Sequence, residues 1–129
     1  MAVVDGVVAA LRGVRLVAPV DLESDLHRIV GAAFDGAGLR AAHEVRLGPG
    51  ARVDFAVECG PGDGVVAVEI KRGKPGSAAL HAQAARYAAV ERVVGVVMVV
   101  ERSVFWHASE IEGKPAVLVS LTSNWGMSV

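Results

Sequence analysis

The stretch RVDFAVECGPGDGVVAVEIK, residues 52–71, decides the fold of this chain. Its two flanks are rich in Val and alternate or run apolar, which predicts two β-strands. The Gly- and Pro-rich break at residues 60–64 predicts the turn of a hairpin between them. Side chains alternate across a strand, so Glu69 and Lys71 share one face of the second strand. If that face pairs with the face of Asp54, the three charges converge at one end of the hairpin.

These converging charges need a compensating group. Two carboxylates and an ammonium in otherwise buried strands are costly unless something neutralises them, and a divalent cation does so. Mg²⁺ prefers oxygen ligands and is held by one or two carboxylates. Asp54, Glu69 and the backbone carbonyl of Ile70 supply three such oxygens. The pattern therefore indicates a Mg²⁺ site, and a salt-bridged strand pair at a sheet edge is the structural alternative.

The composition is typical of one globular domain. The chain has 129 residues, 53% of them hydrophobic and 21% charged, which excludes a disordered chain. The formal net charge of −1 excludes a generally basic nucleic-acid coat, so any contact with DNA must use a local patch. The single cysteine, Cys59, excludes an internal disulfide and favours a reducing cytoplasm. No run approaches the ~18 apolar residues of a membrane span, so no membrane partner is expected.

The sequence before the hairpin predicts two helices and a strand. We assign residues 1–20 to an N-terminal arm with a short helix at about Val3–Arg12, and residues 21–129 to a single domain with its core at about 21–100. Asp21 is predicted to cap an amphipathic helix that ends near Gly36, with Glu23 in its first turn. A strand is predicted at about Ala42–Leu47.

The sequence after the hairpin predicts a helix and three strands. Ser77 is expected to cap a helix that runs to about Glu91. The unbroken apolar run Val93–Val100 is typical of a strand buried on both faces. A closing pair of strands is predicted at Arg102–Ala108 and Ala116–Thr122. The order of helix, three strands, helix and strand predicts an α/β fold with a central mixed β-sheet flanked by helices.

A set of polar residues recurs in the order of these elements. It comprises Glu23 on the first core helix, Asp54 on a strand, Glu69-Ile70-Lys71 ending the next strand, and Gln83 and Tyr87 four apart on the following helix. The set resembles the PD-(D/E)XK nuclease superfamily over about Asp21–Val100. The Gln-x-x-x-Tyr pair is similar to the RecB-like branch. One departure is that Val53, not Pro, precedes Asp54.

The resemblance implies a restriction-endonuclease-like αβββαβ core and a Mg²⁺-dependent deoxyribonuclease, with Mn²⁺ able to substitute. Asp54 and Glu69 would bind the metal, and Lys71 would assist the attacking water or stabilise charge on the phosphate. Glu23 would hold a second metal or a metal-bound water. Gln83 and Tyr87 would position a backbone phosphate or a metal-bound water. Each of the three helical residues also has a structural alternative. Glu23 would be a helix-dipole partner, Gln83 an exposed polar residue and Tyr87 a core aromatic residue.

DNA is the expected partner, and four basic residues are the candidates for a local phosphate-binding patch: Arg52, Arg72, Lys74 and Arg86. Scattered surface charge explains these four residues almost as well. The four histidines show no metal-ligand spacing and are expected to lie at or near the surface. A homodimer is compatible with the Val-rich strands, and the sequence leaves the oligomeric state open. A non-catalytic module that binds nucleic acid or protein on the same fold is the alternative function.

Overall fold

The computed structural model describes residues 2–16 and 20–124. Three α-helices, six strands and a short 3-10 helix follow one another within these ranges. In chain order they are α1 (Ala2–Arg12), α2 (Glu23–Gly36), β1 (Ala41–Gly48), β2 (Ala51–Glu58), β3 (Val65–Lys71), α3 (Ser77–Ala88), β4 (Val93–Val100), β5 (Glu110–Ile111), β6 (Lys114–Ser120) and the 3-10 helix Leu121–Asn124.

The strands form one mixed sheet in the order β1-β2-β3-β4-β6-β5. β1, β2 and β3 are antiparallel neighbours, as the predicted hairpin requires. β4 runs parallel to both β3 and β6, while β5 closes a short antiparallel hairpin with β6. The predicted α/β class with a central mixed sheet is confirmed.

Each face of the sheet buries its own apolar cluster against helices. On one face Val66, Val68 and Ile70 pack with residues of α1 and α2. On the other face Ala67 packs with Leu80, Ala84 and Tyr87 of α3. β4 contributes residues to both clusters, because side chains alternate across a strand. This double burial confirms the prediction made from its unbroken apolar run.

Helix α1 belongs to the same core. Its residues Val4, Val7 and Leu11 recur at helical spacing and are almost fully buried in the cluster shared with α2. Among the described residues, no helix combines the length and the hydropathy that a bilayer crossing requires.

Both predicted helix caps are wrong. Helix α2 has Leu22 at its N-cap in an extended conformation, and Leu22 is exposed, so Asp21 makes no cap. Helix α3 has Gly76 at its N-cap, and the Ser77 hydroxyl donates to the carbonyl of Phe105 at 2.7 Å instead of capping the helix. Helix α3 also ends at Ala88, three residues before the predicted Glu91.

The closing strands are only partly as predicted. The first of them, Arg102–Ala108, forms no strand, and the closing hairpin instead pairs Glu110–Ile111 with β6. The turn of this hairpin places Glu112 and Gly113 at positive φ. Residues 102–108 form an irregular segment whose aromatic side chains pack on one another instead of entering a sheet.

The glycine turn before β3 gives a test of the hairpin. Gly64 has φ +84°, and a Cβ there would lie 2.5 Å from the Arg92 carbonyl oxygen, which accepts the Val65 N–H. Gly62 has a similar φ of +75° with open space around it. We expect Gly62→Ala to lower the free energy of unfolding by about 1–2 kcal/mol through backbone strain alone. Gly64→Ala should lower it by a further 1–3 kcal/mol, approximately, through the clash. Urea denaturation of both variants measures the difference, and equal losses would contradict the described packing.

Candidate functional site

The β2–β3 hairpin opens at the end away from its turn. The paired register ends at Phe55 opposite Val68, so that Asp54 and Glu69 would form the next pair. Beyond that point, side-chain carboxylates accept the backbone N–H groups in place of strand carbonyls. The Asp54 N–H donates to Glu69 Oε1 at 3.2 Å, and the Ile70 N–H donates to Asp54 Oδ2 at 2.8 Å. A buried backbone donor must find a partner, and here side chains of the opposite strand supply it. Each carboxylate is therefore fixed by the backbone of the neighbouring strand.

Lys71 completes the charge cluster that the sequence predicts at this end. Its Nζ lies 3.6 Å from Glu69 Oε2, and the Lys71 side chain is 37% exposed whereas that of Glu69 is 7% exposed. Asp54 is intermediate, with 22% of its side chain exposed. The structure thus brings Asp54, Glu69 and Lys71 together, with the ammonium on the solvent side.

Helix α3 supports Glu69 from its own face of the sheet. Gln83 Nε2 donates to Glu69 Oε2 at 2.6 Å and lies 3.2 Å from the Tyr87 hydroxyl. The Tyr87 hydroxyl donates to the carbonyl of Arg52 at 2.9 Å. Gln83 and Tyr87 are one helical turn apart, so they reach the strands side by side. In this arrangement both residues contact protein groups and hold Glu69 and β2 in position.

The electrostatics of this cluster are unfavourable for a second negative charge. Burial, and next the neighbouring Asp54 carboxylate, raise the pKa of Glu69 from 4.5 to about 7. The Asp54 N–H and the Lys71 ammonium oppose this shift without cancelling it. Burial, followed by the Glu69 charge, also raises the pKa of Tyr87, so its hydroxyl stays a hydrogen-bond donor. A cation bound between the carboxylates would favour the ionised form of Glu69 and so oppose this rise in its pKa.

His27 is a site residue that the sequence did not identify. It projects from α2, and its Nε2 lies 3.7 Å from Asp54 Oδ2. Its Nδ1 lies 2.9 Å from Nε2 of His43, which stacks on Phe55. Nε2 is buried and has no hydrogen-bond partner among the residues that the structure describes. Its spacing of four residues from Glu23 is the signal that places both on one helix face.

Glu23 lies at the margin of the site. It is exposed in the first turn of α2 and lines a cavity of about 690 Å³ together with His27, His43 and Phe55. Glu23 therefore faces the same space as His27, but it is not among the groups that contact Asp54 or Glu69 in the described structure. Its position fits a contact through water or through a bound substrate.

The donor set fits a divalent cation in its chemistry. Asp54 and Glu69 supply carboxylate oxygens, and an unpaired imidazole nitrogen of His27 faces Asp54. The Ile70 carbonyl points to the same side of β3 as its N–H, toward β2. Across the described residues, however, no three His, Cys, Asp or Glu side chains are already grouped to hold a metal ion. The carboxylates are instead turned onto backbone N–H groups and Gln83.

The four predicted basic residues are exposed and lie on three segments of the chain. Arg72 and Lys74 are exposed in the loop that follows Lys71. Arg86 is exposed in the last turn of α3. Arg52 is exposed on β2, with its guanidinium 3.7 Å from Glu44. Arg72 and Lys74 follow the site residue Lys71 along the chain, and Arg52 shares β2 with Asp54.

A buried glutamate that the sequence did not identify organises the chain around the site. Glu101 follows β4 and is 3% exposed. Its Oε2 accepts the N–H of Val20, just before α2, and its Oε1 accepts the N–H of Gly73, just after β3, both at 2.9 Å. This carboxylate ties the segment that leads to Glu23 and His27 to the loop that follows Lys71.

The chain matches no protein-family model, and neither a curated protein nor a solved structure shows significant similarity to it. We therefore infer the function of the chain from the site residues themselves.

The raised pKa of Glu69 predicts how stability depends on pH. The folded chain keeps a proton on Glu69 between about pH 4.5 and 7 that the unfolded chain has lost, so folding stability falls as pH rises through this window. Glu69→Gln removes the charge and should stabilise the fold at about pH 8 by up to about 3 kcal/mol, with no gain at about pH 4. Urea denaturation across this pH range measures the gain.

The matched control for this measurement is Glu58→Gln on β2. The Glu58 side chain is 59% exposed and lies 3.8 Å from the exposed Arg40, so its loss should shift stability by less than about 1 kcal/mol at any pH. Stability profiles for wild type and Glu69→Gln that run parallel across the pH range would contradict the electrostatic description.

The role of Glu101 gives a separate prediction. Glu101→Ala leaves the N–H groups of Val20 and Gly73 without their acceptor, which should cost about 1–3 kcal/mol of unfolding free energy for each. Glu101→Gln keeps one carbonyl oxygen and should lose less. Denaturation measures both, with the exposed Glu110→Ala as the control. If Glu101→Ala were as stable as wild type, Glu101 would not hold the segment before α2 to the loop after β3.

Proposed function

We propose that the chain is a metal-dependent nuclease that hydrolyses DNA phosphodiester bonds, with Asp54 and Glu69 binding Mg²⁺ and Lys71 assisting the attacking water. One observation carries the proposal: the hairpin opens at the point where these three side chains meet. The order of elements from α2 to β4 further supports a restriction-endonuclease-like core of the PD-(D/E)XK type.

The metal would be held by Asp54, Glu69 and the Ile70 carbonyl, with His27 as a further ligand. Mg²⁺ needs only one or two carboxylates because it keeps several waters, and an imidazole nitrogen also suits Mn²⁺. When bound, the ion polarises the phosphodiester and lowers the pKa of a water. Metal binding requires ionised Glu69, so affinity for the metal should rise with pH through about 7.

The remaining residues of the site would position the reactants. The Lys71 ammonium, at the open end of the hairpin, would orient the attacking water or stabilise negative charge on the phosphate. Gln83 would hold the Glu69 carboxylate in one rotamer, and Tyr87 would hold the strand that carries Asp54. Glu23 would accept a hydrogen bond from a water in the cavity that it shares with His27.

DNA is the proposed substrate. Because the net charge of the chain is −1, a polyanion such as DNA would have to bind at a local basic patch. The loop after Lys71 carries the exposed Arg72 and Lys74 and offers such a patch beside the site. Phosphate contacts of this kind position the backbone without reading the base sequence.

The alternative function is a non-catalytic module that binds nucleic acid or protein. It is favoured by the absence, among the described residues, of three side chains already grouped as metal ligands. A binding module has no need, however, of a buried Glu69 kept beside Asp54 at an electrostatic cost.

Cleavage assays separate the two functions. Labelled single-stranded, duplex, flapped and four-way DNA are incubated with Mg²⁺, Mn²⁺ or EDTA. We expect cleavage with either metal, no cleavage in EDTA, and a loss of at least about 100-fold in Asp54→Ala, Glu69→Ala and Lys71→Ala. Glu58→Ala, an exposed carboxylate on the same hairpin, is the control and should cleave like wild type.

Full activity in any of the three site variants would disprove the mechanism. No cleavage of any substrate, combined with no binding of Mg²⁺ or Mn²⁺, would favour the binding module.

A further inference from the structure

Two rings of the irregular segment after β4 stack with one ring of helix α3. Phe105 lies 5.3 Å from His107, centroid to centroid, at an interplanar angle of 26°. His107 lies 5.8 Å from His81 of α3 at 5°. Phe105 is at the outer end of this stack and is 71% exposed. We refer to Phe105, His107 and His81 as the ring stack.

The exposure of Phe105 is not explained by folding. Full burial of a Phe side chain contributes about 1.5–3 kcal/mol, yet only Phe105 and Leu22 are large exposed hydrophobic residues in the described chain. The segment is nevertheless anchored: the Phe105 carbonyl accepts from Ser77, and the indole N–H of Trp106 donates to the Ala116 carbonyl at 3.4 Å. The backbone is thus held in a position that keeps the ring in solvent.

The ring stack is connected directly to the candidate site. The N–H of Glu101 donates to the carbonyl of Lys71 at 3.1 Å, and the N–H of Arg102 donates to the carbonyl of Gly73 at 3.0 Å. Together with the Glu101 carboxylate on Gly73, these bonds join the loop after β3 to the segment after β4. The loop that follows Lys71 and the segment that carries Phe105 are therefore neighbours.

The two neighbouring segments carry a positive net charge. Residues 71–77 and 102–109 contain four basic residues and no acidic residue. Three of them, Arg72, Lys74 and Arg102, are exposed. Glu101 between the two segments is buried, and both its oxygens are engaged with backbone N–H groups. Proteins bind single-stranded nucleic acid by combining exposed rings, on which bases stack, with basic side chains that contact the backbone.

We propose that the ring stack is a base-stacking platform that holds an unpaired base of the DNA, so that the substrate is single-stranded or locally unpaired next to the scissile phosphate. In a duplex both faces of a base are covered by its neighbours, and only an unpaired or terminal base presents a free face to Phe105. The cations at positions 72, 74 and 102 would contact the backbone of the same strand. This role in choosing the substrate rests on the nuclease function proposed above, whereas the binding itself does not require cleavage.

The test measures fluorescence anisotropy of the full chain with a labelled single-stranded oligonucleotide in EDTA. Phe105→Ala should weaken binding about 5- to 100-fold, the range that one lost base stack produces. Phe105→Trp keeps an aromatic face and should bind like wild type, while Phe105→Leu keeps apolar bulk without a ring and should bind like Phe105→Ala. The melting temperatures of these variants should match wild type, since the side chain lies in solvent.

A second oligonucleotide of the same length isolates the stacking. An abasic strand carries the same charge without bases, so Phe105→Ala and wild type should bind it equally. A duplex of the same sequence should likewise show no effect of Phe105→Ala. An unchanged affinity of Phe105→Ala for the single strand, or an equal loss on the abasic strand, would overturn the platform.

The cleavage assay keeps this result separate from the nuclease proposal. If the chain cleaves DNA with metal but Phe105→Ala binds the single strand like wild type, the platform is overturned and the nuclease proposal is supported. Binding that depends on Phe105 without any cleavage would support the platform and overturn the nuclease. If Phe105→Ala weakened the binding of a protein partner but changed the binding of no DNA, this result would also overturn the platform.

Discussion

Two backbone N–H groups in the β2–β3 hairpin donate to side-chain carboxylates of the opposite strand instead of to its backbone carbonyls. The site depends on this exchange of acceptors. The paired register ends at Phe55 and Val68, on the side away from the turn. The N–H groups of Asp54 and Ile70 beyond this pair would lack acceptors if the carboxylates of Glu69 and Asp54 did not accept from them. Both carboxylates are thereby fixed by the sheet. Helix α3 can then add Gln83 from one face, and helix α2 can add His27 from the other.

The same exchange has an electrostatic cost that folding alone does not require. Glu69 is nearly buried beside a second carboxylate, and its pKa is raised to about 7 in consequence. Lys71 and Gln83 offset part of this cost, and a cation between the carboxylates would offset the remainder. Titratable groups kept together in this way are characteristic of functional sites. The proposed metal site would account for both the opening of the hairpin and the position of Glu69 beside Asp54.

Local patterns predicted the strands well because their causes are local. The Gly-rich turn and the Val alternation place β2, β3 and β4 within one residue of their observed limits, and the strand faces place Asp54 beside Glu69. The caps predicted at Asp21 and Ser77 were wrong, and near both positions the chain is bound by a distant group: Glu101 accepts the Val20 N–H before α2, and the Phe105 carbonyl accepts from the Ser77 hydroxyl. Glu101 itself acts on Val20 across 81 positions, a separation at which no sequence spacing carries a signal.

The central claim is that a divalent cation binds between Asp54 and Glu69. Anomalous diffraction from crystals soaked in Mn²⁺ at about pH 8, above the raised pKa of Glu69, tests it most directly. We predict one strong anomalous peak bounded by these two carboxylates and the Ile70 carbonyl, with His27 turned toward it, and no such peak in crystals of Asp54→Asn. No peak at the open end of the hairpin in saturating Mn²⁺, with both carboxylates still bound to backbone N–H groups, would contradict the account.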